Sequence, residues 1–138
     1  MSGVLVDTNI ILDIATEDTK WFEWSSRQLS ECAEKHTLFI NKIIYAEVSI
    51  GYKKIEDLEA AIHHSIFKRA TIPWEAAFLA GKTFLRYKKL GDNRSQPLPD
   101  FFIAAHAVID GLTLLTRDGK RFRHYFPTLK LISPNKKT

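Results

Sequence analysis

Four carboxylates stand where an α/β chain would concentrate chemistry. Asp7 follows directly on the apolar run Val4-Leu5-Val6, and Asp118 lies two residues beyond Leu112-Thr113-Leu114-Leu115-Thr116. Glu47 interrupts Ile43-Ile44-Tyr45-Ala46-Glu47-Val48, and Asp100 opens Asp100-Phe101-Phe102-Ile103-Ala104-Ala105-His106-Ala107. Each has an ordinary structural alternative. Asp7 can cap a helix, Asp100 can complement a helix dipole, Glu47 can face water, and Asp118 can share a turn with Gly119. As a set they ask for more, because carboxylates gathered in one cleft repel one another and protonate or splay unless a cation sits among them. Hard divalent cations take oxygen ligands, Mg²⁺ typically a few carboxylates plus water. Such an ion activates water and neutralises charge on a phosphodiester.

The elements that must position these acids follow from the apolar pattern. Val4–Val6, Thr37–Ile40, Ala70–Ile72, Leu112–Thr116 and Leu129–Ile132 read as short strands, the third stopped by Pro73. Helices are expected from Ile10, over Thr19–Lys35, Lys42–Tyr52, Ile55–Phe67, Trp74–Leu90 and Asp100–Asp110, with Gly91 and Gly111 closing the last two. Strands alternating with helices imply a parallel sheet covered on both faces, a three-layer α/β/α domain. In open sheets of this kind ligands bind beyond the carboxyl ends of the strands, where Asp7 and Asp118 stand.

The 138 residues suit one domain, read as 1–134 with a basic tail at 135–138. Hydrophobic residues make up 45% and charged residues 26%, which argues against a disordered or fibrous chain. The net charge of +4 hides an asymmetry: residues 1–70 carry 8 basic and 11 acidic side chains, residues 71–138 carry 12 and 5. A basic half beside a group of acids suits a polyanion with a cation between. The single cysteine, Cys32, rules out an internal disulfide and a multi-cysteine metal site. No apolar run approaches the roughly 20 residues needed to span a bilayer, and no basic-then-apolar leader is visible, so a cytoplasmic location without a membrane partner is the expectation.

The motifs Val-Leu-Val-Asp7-Thr-Asn-Ile-Ile-Leu-Asp13, Glu47, Pro99-Asp100-Phe-Phe-Ile-Ala-Ala-His-Ala and Leu-Leu-Thr116-Arg117-Asp118, with the closing Leu-Lys-Leu-Ile-Ser-Pro134, occur in this order along nearly the whole chain. With these motifs the chain resembles PIN-domain ribonucleases, most closely the VapC toxins of toxin–antitoxin pairs. The resemblance implies a sheet of order 3-2-1-4-5 and an acidic quartet of Asp7, Glu47, Asp100 and Asp118. Asp7 and Asp100 would be the principal Mg²⁺ or Mn²⁺ ligands, Glu47 and Asp118 would complete the site, and Thr8, Asn9 and Thr116 would orient carboxylates and water. The implied activity is metal-dependent endoribonucleolytic cleavage, and the implied partners are RNA, a VapB-like antitoxin and a second copy of the chain. The chain departs from many relatives at Asn41, where they carry Ser or Thr, and in the Pro-containing segment from Gly91 to Pro99.

The remaining chemistry-bearing residues are assigned around that site. Arg94, Arg117, Lys120 and Arg121 flank Asp100 and Asp118 in sequence and are the expected phosphate contacts, with Arg123 beside them. The Lys82, Arg86, Lys88 and Lys89 group reads as a solvated helix face, and Lys136-Lys137 as a solvated tail. His106 reads as a satisfied core residue and His63-His64 as a helix surface. On the helix Thr19–Lys35 an inward face through Phe22, Ser26, Leu29 and Ala33 turns Trp24 outward, either as a candidate interface residue or packed on another helix of the same chain. Tyr45, Tyr52, Phe78 or Tyr87 are candidates for a dimer contact. Three other readings stay open at this point. They are a PIN-domain nuclease of RNA processing or decay without an antitoxin, a nucleic-acid-binding module with vestigial acids, and a phosphotransfer protein. The last is disfavoured because Asn9 stands where a second Asp is wanted and no Gly-rich loop follows a strand.

Overall fold

The computed structural model of the chain describes residues 2–90 and 98–134. The first strand, β1 (Gly3–Val6), runs into α1 (Thr8–Ala15) through Asp7, and α2 (Phe22–Lys35) leads to β2 (Thr37–Ile40). After β2 come α3 (Lys42–Ser49), α4 (Ile55–Ala61) and β3 (Phe67–Arg69). The second half holds α5 (Trp74–Lys89), α6 (Leu98–Asp110), β4 (Thr113–Leu115), α7 (Gly119–Tyr125) and β5 (Lys130–Ile132). All strand pairs are parallel, in the order β3-β2-β1-β4-β5. Successive strand residues point to opposite faces, yet Val4, Leu5 and Val6 are all buried, so helices cover both faces of the sheet. This is the expected α/β architecture and strand order.

The register places the acids. Val6 pairs with Leu115, which puts Asp7 beside Thr116, and the Asp7 amide extends the ladder to the Leu115 carbonyl at 2.9 Å. The amino end of α6 is held by an aromatic cluster in which Phe101 packs edge-on against Phe84, Tyr87 and Tyr125 at 5.5–5.7 Å between centroids. Phe101 is the neighbour of Asp100, so this packing sets the depth at which Asp100 enters the cleft. Tyr87 lies buried inside the cluster and is thereby removed from the candidate dimer contacts.

Three local expectations are corrected. The third strand is Phe67–Arg69 rather than 70–72, and the helix before it ends at Ala61. Being an edge strand with only Phe67 buried, β3 lacks the apolar run that marks its central neighbours, and Ile66 just before it is exposed. In α2 the inward face passes through Ser25 and Cys32, while Phe22 and Ala33 are exposed. A polar anchor sets this rotation: the Ser25 hydroxyl donates to the buried Asp13 carboxylate at 2.7 Å. Trp24 is consequently half-buried against the core and edge-on to Trp21, not projecting into water. Finally, α7 was not expected from the sequence, where Gly119-Lys120-Arg121 hid the spacing of Phe122 and Tyr125 that buries it. The expected terminating role of Gly91 and the tail 135–138 lie outside the described residues. Among the described residues no helix is long and apolar enough to cross a membrane.

Candidate active site

Asp7 caps α1 from the end of β1. Its Oδ1 accepts from the Thr8 amide at 2.7 Å and its Oδ2 from the Thr116 hydroxyl at 2.8 Å. The side chain is buried, and every donor it meets there is neutral. Burial pushes its pKa up to about 6, against those two hydrogen bonds, and the nearby charge of Asp100 adds to the rise. Asp100, in the first turn of α6, is also held above the ordinary carboxylate range. Burial is the main cause, Arg121 opposes it, and Glu47 and Asp118 reinforce it.

Asn9 and Thr116 tie the first strand end to the fourth. The Asn9 amide donates to Asp118 Oδ2 at 3.1 Å and to Thr116 Oγ1 at 3.3 Å, and the Asp118 backbone amide donates to the same hydroxyl at 3.1 Å. Thr116 thus relays between two carboxylates, accepting from the Asp118 side and donating to Asp7. Thr8 reaches the other way, its hydroxyl donating to Glu47 Oε1 on α3. The start of α3 is fixed by Asn41, whose Oδ1 accepts from the Ile44 amide at 3.0 Å while its Nδ2 donates to His106 Nδ1 at 3.0 Å. An accepting Nδ1 leaves the proton on Nε2, which donates to Asp110 at 3.0 Å, so His106 is neutral in this arrangement. Burial holds its pKa below the ordinary histidine value, opposed by Asp110. The departure at Asn41 therefore supplies both a helix cap and a tether between the helices that carry Glu47 and Asp100.

The four acids, Thr8, Asn9 and Arg121 line one open cleft of about 350 Å³, with Leu12 and Ile50 forming an apolar lip. The donor set is all hard oxygen and includes no sulfur or imidazole, which fits a divalent cation of the Mg²⁺ class. As the side chains stand, no three Asp, Glu, His or Cys groups among the described residues converge on one point. Glu47 leans on Thr8, and Arg121 stands between Asp100 and Asp118, its Nη1 at 3.1 Å from Asp100 Oδ2 and its Nη2 at 3.7 Å from Asp118 Oδ2.

The cations expected to flank the site divide into three kinds. Arg121 enters the cleft. Arg117 turns away from it: its Nε and Nη2 donate to the two oxygens of buried Asp13 at 2.9 and 3.1 Å, and its guanidinium lies 5.6 Å from the Trp21 ring centroid. That bidentate pair pins β4 to α1 and α2, so Arg117 is not free to meet a phosphate. Lys120 is exposed at the start of α7, and Arg94 lies outside the described residues. The ion pairs of Arg117 and Arg121 were the features that sequence reasoning missed, since two arginines four residues apart carry no mark of which acid each will meet. His106 is the satisfied core residue expected of it.

The profile of the PIN domain family matches residues 4–126. The chain belongs to the PIN-domain family. Members of that family are nucleases. Comparison with curated proteins finds no match. Among solved structures the PIN domain is similar to VapBC2 from Rickettsia felis, solved bound to a DNA fragment from its promoter (24% identity, TM-score 0.72, covering 95% of this chain and 98% of that one). It is likewise similar to VapBC-1 from nontypeable Haemophilus influenzae (23% identity, TM-score 0.73, 95% and 97% covered). A toxin–antitoxin complex from Klebsiella pneumoniae is 25% identical at TM-score 0.70, with 96% and 98% of the chains covered.

Proposed function

We propose that this PIN domain is a divalent-metal-dependent endoribonuclease and the toxin of a VapBC-type toxin–antitoxin pair, which halts translation in the cytoplasm by cutting tRNA or rRNA. The observation that carries the reading is the shared cleft of Asp7, Glu47, Asp100 and Asp118 at the carboxyl ends of the central strands. Asp7 and Asp100, the most buried of the four, would hold Mg²⁺ or Mn²⁺ directly, with Glu47 and Asp118 completing the set. The bound cation supplies charge neutralisation at the scissile phosphate and makes water more acidic. The chain's own groups do the positioning. Thr116 and Asn9 hold Asp7 and Asp118 in fixed mutual orientation, and Thr8 steadies Glu47. Lys120 on the rim, Arg121 in the cleft and Arg94 before Asp100 would meet backbone phosphates.

The antitoxin reading is supported by the toxin–antitoxin complexes among the similar structures and by the apolar lip of the cleft, where Ile50 is 86% exposed. A segment laid over the acids would cover it. For a homodimer, α5 offers a self-complementary stripe. Trp74, Phe78 and Leu85 are exposed along one side, and a side chain at Gly81 would meet nothing within 4 Å. About a two-fold axis between Gly81 and Lys82, Phe78 of one copy meets Leu85 of the other and Glu75 meets Lys88.

The decisive experiment expresses the chain briefly and sequences RNA 5′ ends, comparing wild type with Asp7→Asn and Asp100→Asn. The expected result is one or a few discrete cleavage sites in tRNA or rRNA that vanish in both variants, and that the purified chain reproduces only with a divalent ion. Full metal-dependent cleavage by either variant sinks the proposal.

A further inference from the structure

We infer that Arg121 is a built-in counter-ion of the acidic cleft: its guanidinium competes with the divalent cation for Asp100 and Asp118, and is released to the substrate's phosphate when that cation enters. The inference rests on the metal-nuclease reading above and adds a residue that sets the order of binding.

Four observations carry it. The guanidinium bridges carboxylates from two different elements, Asp100 on α6 and Asp118 ahead of α7, at 3.1 and 3.7 Å. The oxygen at the shorter contact, Asp100 Oδ2, belongs to one of the two acids best placed to bind an ion. A guanidinium at hydrogen-bond distance occupies part of the carboxylate's acceptor surface and repels a dication approaching the same oxygens, so the two cations compete for them. Second, the seat is incomplete. Arg121 Nε is buried with no hydrogen-bond partner, a polar group desolvated without compensation. Arg117 in its structural pair, by contrast, donates from Nε and Nη2 to both oxygens of Asp13.

Third, the side chain has a way out. It is 34% exposed, lies over the Phe122 ring at 5.0 Å, and springs from the short helix α7 at the mouth of the cleft. A rotamer change moves the guanidinium toward solvent without unpacking Phe122 beneath it. Fourth, the fork that fits two carboxylate oxygens fits two phosphate oxygens equally well. A displaced Arg121 therefore remains next to the position a scissile phosphate must take. Because metal and guanidinium compete for the acids while guanidinium and RNA attract, metal and RNA binding become positively coupled, each raising the affinity for the other by the same factor.

The test titrates Mn²⁺ into the full chain by calorimetry, with Arg121→Gln, Arg121→Lys, Arg123→Gln and Asp7→Asn. Arg123 sits exposed on the same helix, so its variant removes the same charge without touching the acids. A cation within contact distance of a carboxylate is commonly worth 1–3 pKa units toward a proton. Arg121→Gln is accordingly expected to bind Mn²⁺ about tenfold more tightly, Arg121→Lys by an intermediate factor, and Arg123→Gln within about twofold of wild type. Arg121→Lys keeps the charge and preserves the test should the neutral variant lose its fold. A second readout follows fluorescence anisotropy of a labelled RNA with Ca²⁺ or with chelator. The gain in RNA affinity that Ca²⁺ brings to the wild type is expected to disappear in Arg121→Gln. Equal or weaker Mn²⁺ binding by both Arg121 variants overturns this inference alone. Unchanged Mn²⁺ affinity in Asp7→Asn overturns the metal-site reading beneath it.

Discussion

Two buried aspartates on neighbouring turns of the chain meet opposite fates. Asp13 is 2% exposed and saturated: both oxygens accept from the Arg117 guanidinium, and Ser25 adds a further hydrogen bond. Asp7 is 3% exposed and meets only neutral donors, so burial holds its pKa at about 6. Asp100 behaves as Asp7 does, with Arg121 as its partial counterweight among the described residues. The fold has neutralised the carboxylate it uses for construction and left under-neutralised those that face the cleft. Deficient charge compensation, more than burial, is what separates the carboxylates facing the cleft from the one built into the helix packing.

The contrast can be broken from either side. Arg117→Met should produce the largest effect on stability, because it strands the Asp13 charge inside the protein. A loss of about 3–5 kcal/mol is expected by denaturant unfolding, and one below about 1 kcal/mol would mean that Asp13 is as free as Asp7. Removing the charge at the other carboxylate should do the reverse. Asp7→Asn is expected to lower cleavage at least about 100-fold while leaving the metal-free chain as stable as wild type or more so at neutral pH, since the wild type there holds an ionised group in a desolvated place.

The pH dependence sharpens the same point. A carboxyl whose folded pKa lies above its unfolded value stabilises the fold most when protonated, and that contribution is lost as pH rises through the folded pKa. Wild type measured against Asp7→Asn should therefore lose stability between about pH 4 and pH 6 and stay level above, by an amount on the order of 3 kcal/mol. The difference between the two curves isolates Asp7 from His106, whose depressed pKa works in the opposite sense by destabilising the fold as pH falls. Addition of Mg²⁺ should erase the loss above pH 6, because an ion that binds the ionised form stabilises the fold by mass action. The smallest effect is expected at Thr116→Val, which removes the hydroxyl between Asp7 and Asp118. A roughly tenfold drop in metal affinity with little change in melting temperature would fit an orienting role.

Much of this arrangement was legible in advance, for identifiable reasons. Val4-Leu5-Val6-Asp7 reads as a central strand ending on an acid because a strand covered on both faces must be apolar throughout. Glu47 stands out because it interrupts an apolar stretch, and Asp100 because it opens one. The edge strand Phe67–Arg69 did not stand out, since a half-exposed edge needs no apolar run. The rotation of α2 escaped for a different reason: it turns on Ser25 docking against Asp13, a polar contact that hydrophobic spacing does not register.

What the sequence determined by itself is which groups are available: four carboxylates, two just past strand ends and two on the helices α3 and α6, two threonines and an asparagine beside them, and a basic second half. Alternating apolar runs and caps are local properties, and they bring those acids to one edge of a parallel sheet. The tertiary structure alone decided how the charge is balanced. Arg117 and Arg121 are the same residue type four positions apart, yet one closes on Asp13 across 104 positions of sequence and the other on Asp100 in the cleft. Composition and spacing cannot distinguish them, because an ion pair depends on the distance and desolvation of two groups that meet only after the sheet has assembled.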